Sequence, residues 1–160
     1  MTRAARRDAW FAVSAAVALL AVGSAAVSQH VYDIQPCPWC VLQRLIFLSV
    51  GVSALLGLAW RSAVGAKVAA TLMALLVGCG IAAALWQHFV AAASASCNLT
   101  FADRVMNATG LNGRWPELFA AYANCGDKVV LWGIPYEGYS FALFVFLGIA
   151  TLSIWRLAWR

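Results

Sequence analysis

Four apolar stretches, at residues 10–27, 41–60, 68–90 and 139–155, decide what this chain can fold into. Each is close to the roughly 20 residues that carry an α-helix across the hydrocarbon core of a bilayer. A lone strand in lipid cannot satisfy its backbone polar groups, so each stretch is read as a helix. Of 160 residues, 64% are hydrophobic and 11% charged, whereas about a quarter of a soluble domain is charged. That excludes a soluble globular enzyme and a disordered segment, and the length suits a single membrane domain over residues 1–160. The net charge of +5 does not point to nucleic acid, because the basic residues are scattered between apolar runs. The expected architecture is an all-α membrane protein. Four transmembrane helices form a bundle, and a long outer loop contains a short interfacial helix.

Orientation follows from positive charge near the span ends. Arg3, Arg6, Arg7, Arg61, Lys67, Arg156 and Arg160, seven of the eleven basic residues, lie in the N-terminal tail, the 61–67 loop and the C-terminal end. Four spans put those segments on one side. Five of the six acidic residues, Asp33, Asp103, Glu117, Asp127 and Glu137, fall in the other two connections, about 28–40 and 91–138. Both termini are therefore expected in the cytoplasm, with the long connections outside. A rival reading takes residues 1–27 as a cleaved signal peptide, although the apolar run is long for that role. The segment 91–138 is too long for a plain connector. Within it Trp115, Leu118, Phe119 and Tyr122 recur at helical spacing and Pro116 suits a first turn. This predicts a short amphipathic helix, lying on the membrane surface or packed on the span tops.

The chemistry-bearing residues are cysteines. Cys37, Cys40, Cys97 and Cys125 fall in the outer connections, while Cys79 sits mid-span and is read as an inert packing thiol. Four outward cysteines read as two disulfides, with three possible pairings; local spacing favours Cys37 with Cys40, leaving Cys97 with Cys125. Cys37-Pro38-Trp39-Cys40 is a CxxC, shared by redox pairs and metal sites. A zinc site usually has a second closely spaced pair, which Cys97 and Cys125 do not supply, so no metal is expected. The second helix begins near Cys40, where its dipole favours a thiolate. Arg44 follows one turn later on the same face. An arginine just inside the bilayer marks function unless it snorkels to the interface, and either way its charge comes to the level of Cys40.

If such a dithiol creates disulfides, two electrons must leave the chain. Gly78-Cys79-Gly80-Ile81-Ala82-Ala83 matches a nucleotide-binding pattern on paper but lies inside a span, where small-residue helix packing explains it better. His30 and His88 are too few for a paired-histidine haem site. By elimination, the acceptor is a lipid-soluble molecule such as a quinone.

Four spans, an outer CxxC with Arg44 four positions on, and a second cysteine pair in the last outer loop together resemble the bacterial disulfide bond formation protein B family. Gln29-His30-Val31, Ala95-Ser96-Cys97 and Trp132-Gly133-Ile134-Pro135 are smaller matches, and the resemblance covers nearly the whole chain. It implies an inner-membrane oxidase that reoxidises a periplasmic thioredoxin-like dithiol oxidant and passes electrons to ubiquinone or menaquinone. On the same basis Cys97 and Cys125 form the disulfide attacked by the partner, with Cys97 taking the mixed disulfide. Cys37 and Cys40 receive the electrons, Cys40 is the thiolate facing the quinone, and Arg44 and His88 hold the quinone.

Two other classes stay open on the residues alone. One is a non-catalytic four-helix membrane protein whose outer loops are stapled by two structural disulfides, so that Arg44 and the CxxC tolerate replacement. The other is a eukaryotic secretory-pathway protein, since Asn98-Leu99-Thr100 and Asn107-Ala108-Thr109 fit the glycosylation pattern.

Overall fold

The computed structural model describes residues 2–93, 100–124, 126–127, 129–131 and 133–159. Cys97 and Cys125 lie outside the described residues. Four helices, α1 (Arg3–Val31), α2 (Pro38–Ala59), α3 (Ala63–Phe89) and α7 (Tyr136–Trp159), are each long and apolar enough to cross a membrane. Three short helices, α4 (Phe101–Thr109), α5 (Leu111–Arg114) and α6 (Pro116–Phe119), precede a small antiparallel hairpin of β1 (Val130–Leu131) and β2 (Ile134–Pro135). The protein is thus an all-α, four-helix membrane protein. The long helices outrun the apolar stretches: α1 has 29 residues, about 44 Å at 1.5 Å per residue, against a hydrocarbon core of about 30 Å.

α1 packs on α2, α2 on α3, α3 on α7 and α7 on α1, closing a bundle of sequence neighbours. Lipid is as apolar as leucine, so such helices gain by close approach rather than by burial from water. Small buried residues provide it: Ala15, Ala18, Ala54, Ala66, Ala70 and Ala84. Gly57 lies under the ring of Phe11 and Gly80 under that of Phe144, and a Cβ at either would overlap the ring. Phe144 in turn stacks on Phe47, with ring centroids 4.0 Å apart, joining α7 to α2 through the core. The small-residue account of the 78–83 segment holds for Gly80 but not for Gly78, where an added Cβ would meet no neighbouring helix within 4 Å.

Cys79 corrects the sequence reading. It is exposed on α3, not packed, while Met73, Val77 and Gly80 turn inward. In a bundle that spans a membrane, an exposed mid-helix position faces lipid tails.

The connection between α3 and α7 is built against α2. α4 opens with a capping box, in which Thr100 Oγ1 accepts from Asp103 N–H and Asp103 accepts from Thr100 N–H, and it closes at Gly110 with φ 66°. Met106 of α4 and Phe119 of α6 bury against Val41 of α2. The predicted helix around Trp115 exists but stops at Phe119, because Ala120 turns extended. Tyr122 is therefore not on it. Instead the backbone N–H groups of Tyr122 and Ala123 both donate to Pro36 O, at 3.0 and 3.2 Å. The hairpin then docks on α7 through Tyr139 Oη donating to Leu131 O at 2.7 Å.

Candidate redox site

The CxxC forms the first turn of α2. Pro38 occupies the first helical position, where its missing N–H costs nothing and its fixed φ suits the helix. Cys37 is the N-cap, with extended backbone (φ −84°, ψ 166°), so its sulfur folds back over the turn. It accepts from the Cys40 N–H at 3.4 Å, in the position usually filled by a serine or aspartate oxygen. The two Sγ atoms are 2.9 Å apart. Cys37 is buried and Cys40 half-buried. Trp39 is buried too, packed against Trp86 and Phe101.

Amide side chains frame the sulfurs. Gln87, on the last turn of α3, directs Nε2 at Cys40 Sγ (3.3 Å) and Cys37 Sγ (3.5 Å). Its Oε1 accepts from Gln43 Nε2 at 2.7 Å. Both glutamines are buried. Neither glutamine belongs to a motif: Gln43 stands beside Arg44 near the start of one apolar stretch, and Gln87 near the end of the next. Polar residues at the matching ends of two adjoining apolar stretches were the available signal.

Arg44 does not snorkel. It is 4% exposed, and its guanidinium is spent on protein acceptors. Nη1 donates to Gln29 Oε1 (2.7 Å) and to Leu118 O (3.0 Å), and Nη2 donates to Ala25 O (3.2 Å). One side chain thereby ties α1, α2 and the end of α6 together. It still borders the sulfurs' surroundings: Cys40, Gln43, Arg44 and Phe47 line a cavity of about 500 Å³ together with Ser24 and Ala25 of α1 and Tyr136, Ser140 and Leu143 of α7. That size falls within the roughly 300–1,000 Å³ of typical small-molecule sites. Cys37 and Cys40 also border a narrow cleft of about 40 Å³, shared with Arg44, Gln87, Asn124, Asp127 and Glu137. Cys40 and Arg44 thus border both a roomy, mainly apolar cavity and a small cleft.

His88 is elsewhere. Its Nδ1 lies 3.1 Å from Glu137 Oε1, and it lines a separate crevice between α3 and α7 with Phe89, Pro135 and Phe141. The structure therefore brings Cys37, Cys40 and Arg44 together and sets His88 apart, with Glu137 bordering both its crevice and the cysteine cleft. No group of three or more potential metal-binding side chains occurs among the described residues.

Comparison with known proteins agrees with this chemistry. The sequence model of the family described as "Disulfide bond formation protein DsbB" matches residues 6–154. The disulfide bond formation protein B of Nitrosospira multiformis is 31% identical over 145 residues, covering 87% of this chain and 84% of that protein. The protein of that name from Ralstonia nicotianae is 30% identical, over 81% and 86% of the two chains. That of Herminiimonas arsenicoxydans is 29% identical, over 91% and 92%.

Proposed function

Since the chain belongs to the DsbB family of disulfide bond formation proteins, a multi-pass membrane protein with a disulfide-forming oxidoreductase role, we propose that it is a dithiol:quinone oxidoreductase of the bacterial inner membrane. The observation that carries this reading is the position of Cys40 in the wall of a 500 Å³ cavity that Arg44 also lines. The cavity fits a quinone head group on three counts. It is large enough, its walls are mainly apolar, and Arg44, Tyr136 and Ser140 bring polar groups to it. A quinone, as the second substrate, takes up two electrons and two protons.

The chain's own residues supply the rest. A periplasmic thioredoxin-like oxidant, in its reduced dithiol form, attacks the Cys97/Cys125 disulfide at Cys97 and leaves oxidised. The resulting Cys97/Cys125 dithiol then reduces the Cys37/Cys40 disulfide by exchange, with the bond re-forming between Cys97 and Cys125. Two backbone hydrogen bonds from Tyr122 and Ala123 to Pro36 support this transfer, since they tie the chain just before Cys125 to the residue just before Cys37. Reoxidation of Cys37 and Cys40 completes the cycle at the cavity. Arg44 holds the cavity wall by fixing α1 against α2, and His88 stands outside the cavity, in the crevice between α3 and α7. Both termini face the cytoplasm in this arrangement, and a membrane-impermeant maleimide should reach reduced Cys97 and Cys125 only from the periplasmic side.

The deciding experiment is quinone reduction by the purified protein with a reduced thioredoxin-like dithiol. Wild type should turn over and Cys40→Ser should be inactive. Undiminished turnover by Cys40→Ser would sink the assignment.

A further inference from the structure

We infer that Gln87 is the hydrogen-bond donor that sets the redox equilibrium of the Cys37/Cys40 pair, and that Gln43 is the positioning residue that aims it. The inference rests on the redox reading of those two cysteines and adds to it the residues that tune them. A glutamine amide has two N–H donors and one carbonyl acceptor. In Gln87 the carbonyl is occupied by Gln43 Nε2 at 2.7 Å, and Nε2 is turned to Cys40 at 3.3 Å and Cys37 at 3.5 Å. Gln43 is three residues after Cys40 on α2, so it shares the helix face that carries the sulfur. Were Gln43 to offer its oxygen instead, Gln87 would have to present its own oxygen to the sulfurs. The direction of the first amide thus fixes the direction of the second.

Interhelical glue alone would need only the Gln43 to Gln87 bond, which already joins α2 to α3. The additional reach to both sulfurs is what points to redox tuning. An N–H donor stabilises a thiolate much more than a disulfide sulfur, so it favours the reduced pair and makes the disulfide a stronger oxidant. A neutral amide does this without a proton to give up, leaving the thiolate nucleophilic. Gln43 and Gln87 are 3% and 5% exposed, so little solvent competes with the bonds.

The test uses the full-length protein in detergent carrying Cys97→Ser and Cys125→Ser, equilibrated with reduced and oxidised dithiothreitol and then alkylated. The measured exchange is balanced: protein disulfide plus reduced dithiothreitol gives protein dithiol plus oxidised dithiothreitol. Replacing both amides, Gln43→Leu with Gln87→Leu, removes donor and acceptor together and so leaves no orphaned polar group to unfold the bundle. The double variant should shift the equilibrium toward disulfide by about tenfold, the size of a lost hydrogen bond to a charged group. Gln43→Leu alone should shift it in the same direction by a smaller factor, because Gln87 remains but is no longer aimed. A double variant within about twofold of its parent would overturn the role of Gln87, taking tenfold as the scale of such a bond. An unshifted Gln43→Leu beside a shifted double variant would overturn the role of Gln43. A parent in which Cys37 and Cys40 never form a disulfide would instead refute the redox reading beneath both.

Discussion

The two ends of the bundle are built on opposite principles. At the cysteine end, Gln29, Gln43, Arg44, Gln87 and Glu137 are all buried, and a cavity lies between α1, α2 and α7. Over the rest of the helices the buried polar side chains are Ser14, Ser53 and Thr151. Two of these donate within their own helix, Ser53 to Ser49 O and Thr151 to Leu147 O. The far end is closed by contact. Gly57 admits Phe11, Gly65 admits Trp60, Trp155 stacks on Trp159, and the Lys67 ammonium lies 4.5 Å over the Trp159 ring. Polar burial is costly in a bilayer and tends to persist where it serves function. One end of this molecule joins its helices by apolar contact, and the other joins them by buried polar side chains set around a cavity and a pair of sulfurs.

The comparison breaks most readily at Arg44. Arg44→Met keeps length and apolar bulk but leaves Gln29 Oε1, Ala25 O and Leu118 O without their donor. It should cost about 3 kcal/mol of stability, the range for losing charged hydrogen bonds to buried acceptors, and lower quinone turnover at least about tenfold. Lysine should recover only part, because an ammonium cannot span three acceptors on two elements as the planar fork does. Denaturant unfolding in detergent and quinone-reduction kinetics of the three proteins measure both effects. Unchanged stability in Arg44→Met would mean that the arginine clamps nothing and that the cysteine end is held by other contacts.

The sequence carried the frame of this molecule better than its faces. Hydropathy located the spans, yet it registered only the apolar part of each helix and so missed the polar turns at Arg3 and Gln29 that continue α1. α3 is apolar nearly all round, so no stripe marks its inner side, and Cys79 could not be assigned to a face. α4 went unseen because it is nine residues long, although the Thr100 and Asp103 capping box with Gly110 behind it announces both ends. Cys37, Cys40 and Arg44 were legible because their spacing lies within one helix. Gln87 was not, because its meaning depends on how α3 is set against α2, and single-chain periodicity carries no such register.

The closed end gives the control. Gly57→Val drives a branched side chain into the Phe11 ring. Overpacking of this kind costs about 1–3 kcal/mol. Stability should fall by that amount while the Cys37/Cys40 equilibrium with dithiothreitol stays where it is in the folded protein. A shifted equilibrium would mean that the two ends are mechanically coupled, and the division drawn between them would fail.

The smallest effect is expected at His88, and it sharpens where the acceptor sits. His88 and Arg44 border different spaces: Arg44 lines the cavity between α1, α2 and α7, whereas His88 lines the crevice between α3 and α7. The His88 side chain is 48% exposed, and a half-exposed contact of this kind contributes on the order of 0–1 kcal/mol. His88→Leu should therefore change the quinone KM by less than about threefold, well short of the Arg44→Met effect, because a weak contact outside the cavity has little binding energy to lose. What it can disturb is Glu137, which is buried, reaches His88 at 3.1 Å and also borders the cysteine cleft. Pairing His88→Leu with Glu137→Gln removes that complication by taking away the acceptor's charge. If the paired variant still raises the quinone KM as much as Arg44→Met does, the acceptor approaches Cys40 from the α3/α7 side. The cavity between α1, α2 and α7 would then be a lipid-filled gap beside the site, and His88 would hold the acceptor directly.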